Sequence, residues 1–179
     1  MRSYKAEGIV IKRKNFGEAD RFLTVFTKQY GKISIKAKGV RKISSRRGAH
    51  VELLNLVDMN LYKGHSLPIL TEAQSVNNFP MLKADLRSVG IAYHLCELVD
   101  SLCPENQENF KVFILLLETL LKLEEKDEAP RIVEKFEREL LLSLGFMSSK
   151  QDEFFDTSGF IEEILERRLR AKRLFPLFV

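Results

Sequence analysis

Lysines at every second position form the clearest chemical pattern in this sequence. In the stretch 32–38 (KISIKAK), Ile33, Ile35 and Ala37 alternate with three lysines and a serine. An alternation of period two predicts a half-buried strand, with its apolar side chains on a core and its polar side chains in water. Ammonium groups on that wet face would stand about 7 Å apart, close to the spacing of phosphates along a nucleic acid. The pattern therefore predicts a phosphate-binding face, with protection of an edge strand against aggregation as the alternative.

A one-sided charge distribution surrounds this stretch. Between Asp20 and Glu52 the chain has nine lysines and arginines and no acidic residue. Ordinary surfaces mix the two signs, so a run of one sign creates a continuous positive field that attracts a polyanion. We assign the candidate nucleic-acid contacts to Arg21, Lys32, Lys36, Lys38, Arg41, Lys42, Arg46 and Arg47. Phe22 and Phe26 could stack on bases, but packing in a core is the interpretation we favour for both.

The sequence contains no arrangement of residues that indicates catalysis or metal binding. The three histidines lie in different segments, and the chain has no glycine-rich phosphate loop or recognisable nucleophile–base pair. Cys96 and Cys103 are seven residues apart in one helical pattern, whereas zinc sites use close pairs of ligands. Glu18 and Asp20 could hold a cation, but the adjacent Arg21 more simply pairs with one of them. We therefore expect a protein that is not an enzyme and uses no metal, cofactor or small-molecule substrate.

Charge is divided unevenly along the chain. Residues 1–80 contain 15 Lys and Arg against 6 Asp and Glu, and residues 81–179 contain 14 against 19. Opposite signs in the two halves indicate two parts, of which the first meets a polyanion. No apolar run approaches the roughly 20 residues of a membrane span, and no secretory signal follows Met1. We expect a cytoplasmic protein without membrane contact.

The first half of the chain is predicted to form five strands. Alternating and β-branched runs predict strands over 4–12, 21–27, 32–38, 51–62 and 69–76, with glycine-marked turns between most of them. Residues 42–49 are predicted to be a polar loop with nothing to bury. Five strands in about 75 residues favour a small barrel of the oligonucleotide-binding (OB) type. An SH3-like barrel would match the strand count nearly as well.

Helices are predicted for the second half. Asparagines before a proline in the sequence 77–80 (NNFP) indicate a helix start. Apolar residues at helical spacing then continue over 82–103, 110–123 and 132–144. Gly145 follows the last of these at the position of a C-cap glycine.

A final helix is predicted over 160–174. Its end carries five cations, Arg167, Arg168, Arg170, Lys172 and Arg173. Cations at a C-terminus suit the helix dipole, and a second phosphate contact is the alternative interpretation. The predicted fold class is α+β, with an N-terminal five-stranded OB-fold barrel over residues 1–78 and a C-terminal helical bundle over residues 79–179.

A set of short motifs follows in order along the first half. They are Glu7-Gly8-Ile9-Val10-Ile11, Phe16-Gly17-Glu18-Ala19-Asp20-Arg21, Thr27, Gly31-Lys32-Ile33 and Ala37-Lys38-Gly39-Val40-Arg41. Their order and spacing resemble the N-terminal signature of the RecO family of bacterial recombination mediators. A later segment, Phe136-Glu137-Arg138-Glu139-Leu140-Leu141 followed by Leu144-Gly145-Phe146, resembles a helix in the C-terminal half of that family.

This resemblance implies an OB fold, a helical C-terminal domain and a function without catalysis. Proteins of the family bind single- and double-stranded DNA and anneal complementary strands. With RecR they help RecA load onto DNA coated by single-strand-binding protein (SSB), which implies a cytoplasmic, nucleoid-associated protein. Many members carry a four-cysteine zinc module after the Leu-Gly-Phe segment, but residues 147–156 contain no cysteine, so zinc binding is not carried over. Two alternatives stay open: an RNA-binding OB protein, and a scaffold whose basic face binds an acidic protein partner.

Overall fold

The computed structural model describes residues 2–125, 129–148 and 155–171. The chain divides into two compact units. The first comprises Met1–Asn78 and Pro104–Phe113, and the second comprises Phe79–Cys103 and Ile114–Val179. The predicted boundary placed everything after residue 78 in one helical domain, whereas the short segment Pro104–Phe113 belongs to the first unit. That segment lies against Lys32 and Ser34 of the stretch 32–38 and changes which lysines of this stretch meet solvent.

Five strands form the first unit. They are β1 (Ser3–Phe16), β2 (Asp20–Thr27), β3 (Gly31–Ala37), β4 (Leu56–Tyr62) and β5 (Ile69–Asn77). They close into a barrel in the order β1-β2-β3-β5-β4, in which only the short β3–β5 pairing is parallel and β1 pairs with β4 to complete the ring. A closed five-stranded barrel followed by helices confirms the predicted α+β class and OB-type architecture.

The interior of the barrel is formed by the apolar side of each strand. Ile33, Ile35 and Ala37 point inward from β3, as their alternation predicted, and join Leu23 and Val25 of β2 in one buried cluster. A strand directs successive side chains to opposite faces, so the residues between them must lie on the outside of the barrel. The outer side of β2 and β3 therefore carries Phe22, Thr24, Ser34 and Lys36.

One predicted strand was too long at its start. Residues 51–55 form turns, and β4 begins only at Leu56. Leu54 has a left-handed backbone (φ 70°), and the Asn55 side-chain amide donates hydrogen bonds to the carbonyls of Ala49 (3.2 Å) and His50 (2.9 Å). Val51 is nevertheless fully buried. The apolar residues at the start of the predicted strand 51–62 therefore indicated burial correctly. Burial alone does not distinguish a strand from a turn packed on the core.

Another predicted strand was too short at its end. β1 continues to Phe16, and its pairing with β2 shifts register between Val10 and Lys12. Beyond this irregularity, residues 12–16 are exposed and form a hairpin arm with the start of β2. A bulge bends and twists a strand locally, which allows the arm to leave the barrel core.

Five helices follow. They are α1 (Pro80–Ala84), α2 (Leu86–Leu102), α3 (Phe110–Glu124), α4 (Ala129–Leu144) and α5 (Thr157–Leu165). Asp85 caps α2 by accepting the backbone N–H of Ser88 at 2.9 Å, and Glu124 accepts the N–H groups of Met81 and Leu82 in the first turn of α1. Gly145 has φ 78° directly after α4, which confirms the predicted glycine cap.

The prediction of a final helix over 160–174 is wrong at both ends. Helix α5 begins at Thr157, and the left-handed Glu166 (φ 51°) ends it. Arg167 and Arg170 then lie beyond the helix, where the Arg167 guanidinium and the Arg170 N–H both donate to Glu97 of α2. Glu97 holds the chain through these hydrogen bonds in a non-helical path. Residues 172–174, including Lys172 and Arg173, lie outside the described residues.

A buried polar cluster joins α2, α4 and α5. The Glu137 carboxylate accepts hydrogen bonds from His94 Nε2 (2.9 Å), Thr157 Oγ1 (2.6 Å) and Ser158 Oγ (2.9 Å). Burial would raise the pKa of Glu137, but these donors outweigh it and hold the pKa below its usual value. Glu137 therefore ties the start of α5 to α2 through a charge that is fully enclosed.

In the part of the chain that the structure describes, no helix is long and apolar enough to cross a membrane. Among the same residues, no group of three or more histidines, cysteines and carboxylates is placed to hold a metal ion.

Candidate nucleic-acid interface

Lys32 lies beneath the segment Pro104–Phe113. It is only 8 % exposed, its backbone pairs with Glu105, and its carbonyl accepts the N–H of Asn106 at 2.8 Å. Ser34, on the same outer side of β3, donates to the Glu105 carboxylate at 3.3 Å. The prediction that Lys32 faces water is therefore wrong. A segment distant in sequence covers this end of the strand.

This close approach depends on a glycine. Gly31 has φ +65°, and a Cβ at that position would collide with the backbone carbonyl of Gln107. Phe26, which pairs with Lys32 across β2 and β3, is fully buried, in agreement with the packing role preferred from sequence. The outer side of β2 and β3 is thus closed to a ligand at the end where Phe26 and Lys32 pair.

Lys36 occupies the open end of the same strand. Its ammonium group lies 3.5 Å from Asp20 Oδ2 and 4.9 Å from the centroid of the Phe16 ring. The Phe22 ring centroid is 6.0 Å from the same ammonium group, and this ring packs at a tilt against Phe16, with 4.8 Å between the centroids. Lys36 therefore combines an ion pair with cation–π contacts to two neighbouring rings.

These residues form one surface across three strands. Lys14 of β1 pairs with Phe22 of β2, and Phe22 pairs in turn with Lys36 of β3. Because side chains alternate along each strand, Lys12 and Phe16 lie on the same side as Lys14. We call this surface the aromatic face: Lys12, Lys14, Phe16, Phe22 and Lys36. Half of Phe16 is exposed (50 %), so an apolar ring surface stands open between cations.

A second basic surface lies on the loop after β3. Lys38, Arg41, Lys42 and Arg46 are all exposed there. An open depression runs along this loop, lined by Asp20, Lys38, Gly39, Lys42, Ser44, Ser45, Arg46 and Arg47. We call residues 38–47 the basic loop.

Hydrogen bonds join the basic loop to the turn at the end of the hairpin arm. The Gly39 N–H donates to Asp20 Oδ1 at 2.8 Å, and the Arg41 N–H donates to the Ala19 carbonyl at 3.0 Å. The Arg41 guanidinium donates to the Gly17 carbonyl at 3.0 Å. The aromatic face and the basic loop therefore meet at the turn 17–20.

Besides Arg41, which donates to Gly17 but keeps an exposed side chain, two more of the arginines predicted as DNA contacts have partners within the protein. Arg47 donates to the carbonyls of Leu70 (2.7 Å) and Lys38 (2.9 Å), which fastens the basic loop to β5. Arg21 is half-buried and forms an ion pair with Glu52 at 2.8 Å. Burial lowers the pKa of Arg21, as do the nearby Arg13 and Arg41. The structure therefore brings Lys36, Lys38, Arg41, Lys42 and Arg46 together as accessible cations and uses Arg21 and Arg47 for internal contacts.

Sequence reasoning missed Lys12, Lys14 and Phe16. Period two along β1 does not reveal them, because Lys12, Lys14 and Phe16 share the alternation of the inward-facing Ala6 and Val10, and only the register shift between Val10 and Lys12 turns them to the outside. The predicted strand over 4–12 also ended before Lys14 and Phe16, whereas β1 continues to Phe16. Lys12 has a further contact within the protein, so Lys14 and Phe16 are the more informative additions.

The arrangement combines an exposed aromatic ring with cations at strand spacing. Aromatic rings stack on bases of any identity, and lysines and arginines neutralise phosphates without reading sequence. The geometry thus defines an OB-fold protein with a surface suited to single-stranded nucleic acid.

Comparison with known proteins agrees with this class. Residues 1–79 match the family model described as Recombination protein O N terminal, and residues 83–153 match the model described as Recombination protein O C terminal. The chain therefore belongs to the RecO family.

Two similar proteins are both named DNA repair protein RecO. That of Symbiobacterium thermophilum is 37% identical over 150 residues, 83% of this chain and 59% of the relative. That of Roseiflexus sp. is 37% identical over 145 residues, 81% of this chain and 51% of the relative. The chain thus spans between half and three-fifths of the length of these relatives.

Proposed function

We propose that this chain is a non-enzymatic DNA-binding recombination mediator. It binds single- and double-stranded DNA, anneals complementary strands and helps a recombinase load onto SSB-coated DNA. The observation that carries this proposal is the row Lys14–Phe22–Lys36 across three strands, with the open ring of Phe16 beside it. Cations around an exposed aromatic ring match a strand in which phosphates and bases alternate.

Phosphates are contacted by the accessible cations in this proposal. Lys36 and Lys38 lie at the open end of β3, and Arg41, Lys42 and Arg46 continue from the basic loop. Such contacts carry little sequence information, which suits a protein that must act on any DNA. Lys32, Arg21 and Arg47 support the surface from within, because each is buried or bonded inside the first unit.

Annealing then needs no active site. Two complementary strands repel one another through their phosphates, and a protein that neutralises both removes that repulsion. Base pairing supplies the specificity. A stacked base on Phe16 would hold a strand open at its Watson–Crick edge, where a complementary strand can pair with it.

The relatives support this proposal through their printed name, DNA repair protein RecO. On the basis of the family resemblance, we also propose RecR, RecA and SSB as partners of this chain. The same resemblance supports a place in the cytoplasm at the nucleoid.

A pair of phenylalanine variants tests the aromatic face. Phe16 and Phe110 are equally exposed, at 50 % and 48 %, and both have a lysine ammonium group over the ring. Phe16→Ala should weaken binding of single-stranded DNA by roughly 1–3 kcal/mol, the loss of one stacked base. Phe110→Ala, outside the aromatic face, should bind as the unaltered protein does. Fluorescence anisotropy with a labelled oligonucleotide measures both.

An annealing assay with and without SSB tests the function itself. The unaltered protein should speed the pairing of complementary oligonucleotides, and Phe16→Ala should slow it relative to Phe110→Ala. Competition with RNA of the same sequence separates DNA from RNA preference. A protein that binds no naked oligonucleotide but binds an acidic peptide would replace this proposal with the scaffold.

A further inference from the structure

An isoleucine at the apex of the basic loop is in full contact with solvent. Ile43 is 108 % exposed, more than any other large apolar side chain in the described part of the chain. An isolated exposed apolar residue is common on protein surfaces and does not by itself indicate a function. The residues around Ile43 do indicate one.

The loop that carries Ile43 is held in place. The Ser45 N–H donates to the Lys42 carbonyl at 2.9 Å, which closes a turn with Ile43 at its first corner. The Lys42 N–H donates to the Gly39 carbonyl at 3.2 Å, and Arg47 fastens the far end to Leu70. Val40 and Val51 are buried at the two ends of this segment. The apex is therefore presented on an organised support.

Cations stand on both sides of the apolar apex. Lys42 precedes Ile43, and Arg46 follows three residues later, with two serines between. All the residues from 41 to 44 are exposed, and the chain has no acidic residue from 21 to 51. An apolar side chain flanked by cations complements a nucleic acid, in which apolar base faces lie between phosphates.

We propose that Ile43 is a wedge that contacts base faces and unstacks neighbouring bases while Lys42 and Arg46 hold the adjoining phosphates. Proteins that deform nucleic acids often insert Ile, Leu, Met or Phe between base steps in this way. Isoleucine suits the role because its β-branched side chain is stiff and loses little freedom on insertion. The inference rests on the proposed function and adds a base-opening element to it.

Unstacking is measured with 2-aminopurine, whose fluorescence rises when its neighbours no longer stack on it. A single-stranded oligonucleotide with one internal 2-aminopurine should brighten on binding the unaltered protein. Ile43→Ser should remove most of that increase and weaken binding roughly three- to tenfold, because apolar contact area is lost. The slope of log affinity against log salt should stay unchanged, because no phosphate contact is removed.

Two control variants complete the experiment. Val76→Ser removes an apolar side chain that is also exposed, at 54 % on β5, and should keep the full fluorescence increase. Lys42→Ala should lower the salt slope by about 0.7 and keep some of the increase. Thermal melting of Ile43→Ser should match the unaltered protein, since its side chain touches solvent only.

The outcomes distinguish failure of the wedge alone from failure of the proposed function. If the unaltered protein does not bind the oligonucleotide, the proposed function fails and the wedge fails with it. If it binds and Ile43→Ser gives the same fluorescence and affinity, the wedge is overturned and the proposed function stands. If Ile43 instead governs binding to vesicles with anionic headgroups and not to DNA, the loop is a membrane contact and the wedge is again overturned.

Discussion

The Asp20 carboxylate accepts the backbone N–H of Gly39 at 2.8 Å through Oδ1, while Oδ2 lies 3.5 Å from the ammonium group of Lys36. One side chain thus fixes the start of the basic loop and also restrains a cation of the aromatic face. The hydrogen bond from Gly39, together with Lys36, holds the pKa of Asp20 below its usual value. Asp20 is an acidic residue on a surface proposed to bind phosphates, so its effects on loop structure and on charge can be separated by mutation.

Asp20→Asn should strengthen DNA binding. The amide oxygen can still accept the Gly39 N–H, but the negative charge is gone and Lys36 is released to contact a phosphate. We expect a severalfold gain in affinity and a salt slope steeper by about 0.7, as for one added contact on a single strand. Asp20→Ala removes both interactions, so its gain in charge should be offset by a looser basic loop. Equal affinity for all three proteins in an anisotropy titration would contradict this role of Asp20.

Single-stranded DNA binding should weaken as salt is added. Four or five phosphate contacts imply a log–log slope of roughly −3 for the unaltered protein. Lys38→Ala, Lys42→Ala and Arg46→Ala should each reduce the slope by about 0.7, because each removes one released counterion. Lys63→Ala, an exposed lysine just after β4, is the control and should leave it unchanged. A flat response to salt in the unaltered protein would remove the phosphate contacts from the proposal.

Lys32→Glu should damage folding rather than binding alone. Lys32 is buried beneath a segment whose Glu105 carboxylate lies on the same face of β3, so a glutamate there would place an unpaired charge near a like charge. We expect a loss of roughly 3–5 kcal/mol in the free energy of unfolding. Exposed Lys38→Glu should change it by no more than about 0.5 kcal/mol. Urea denaturation measures both, and equal stability of the two variants would show that position 32 is open to water.

Ile35→Ala provides the opposite case, since its side chain is fully buried inside the barrel. The cavity should cost roughly 2–5 kcal/mol of unfolding free energy. DNA binding should persist while the barrel stays folded, because no cation is moved. Loss of binding at a temperature where circular dichroism shows a folded protein would argue against this separation.

Acid should weaken the second unit through Glu137. Its pKa is lowered on folding, so its stabilising contribution is present above the unfolded value of 4.5 and is lost as the pH falls through the lower folded value. Glu137→Gln should flatten the stability curve in that acid range. Glu137→Ala should cost roughly 3–5 kcal/mol at neutral pH, because His94, Thr157 and Ser158 all lose a buried acceptor. An unchanged acid limb in Glu137→Gln would show that other carboxylates dominate.

Thiol chemistry should be slow in the folded protein. Burial raises the pKa of Cys96 to about 12, and Cys103 is buried as well. Because the thiolate is the reactive form, labelling with a disulfide reagent should be far slower in buffer than in urea. Rapid labelling of both cysteines in buffer would mean that α2 opens readily.

Elemental analysis should find no stoichiometric zinc in the purified protein.

Local patterns in the sequence determined the family, the barrel and the inward side of its strands. The alternation around Ile33 and Ile35 required no knowledge of the rest of the chain, because successive residues of any strand point to opposite faces. The glycine after α4 was predictable for the same reason: a helix end is a local event.

Tertiary structure decided what lies against the outside of the barrel. A period of two assigns Lys32 and Lys36 to the same face, yet residues from 104 to 107 cover the first and leave the second near solvent. Which arginine holds carbonyls and which remains accessible depends on partners such as Leu70, which is 23 residues from Arg47. Contacts of this kind join segments that are distant in sequence, and neither charge nor spacing along the chain records them.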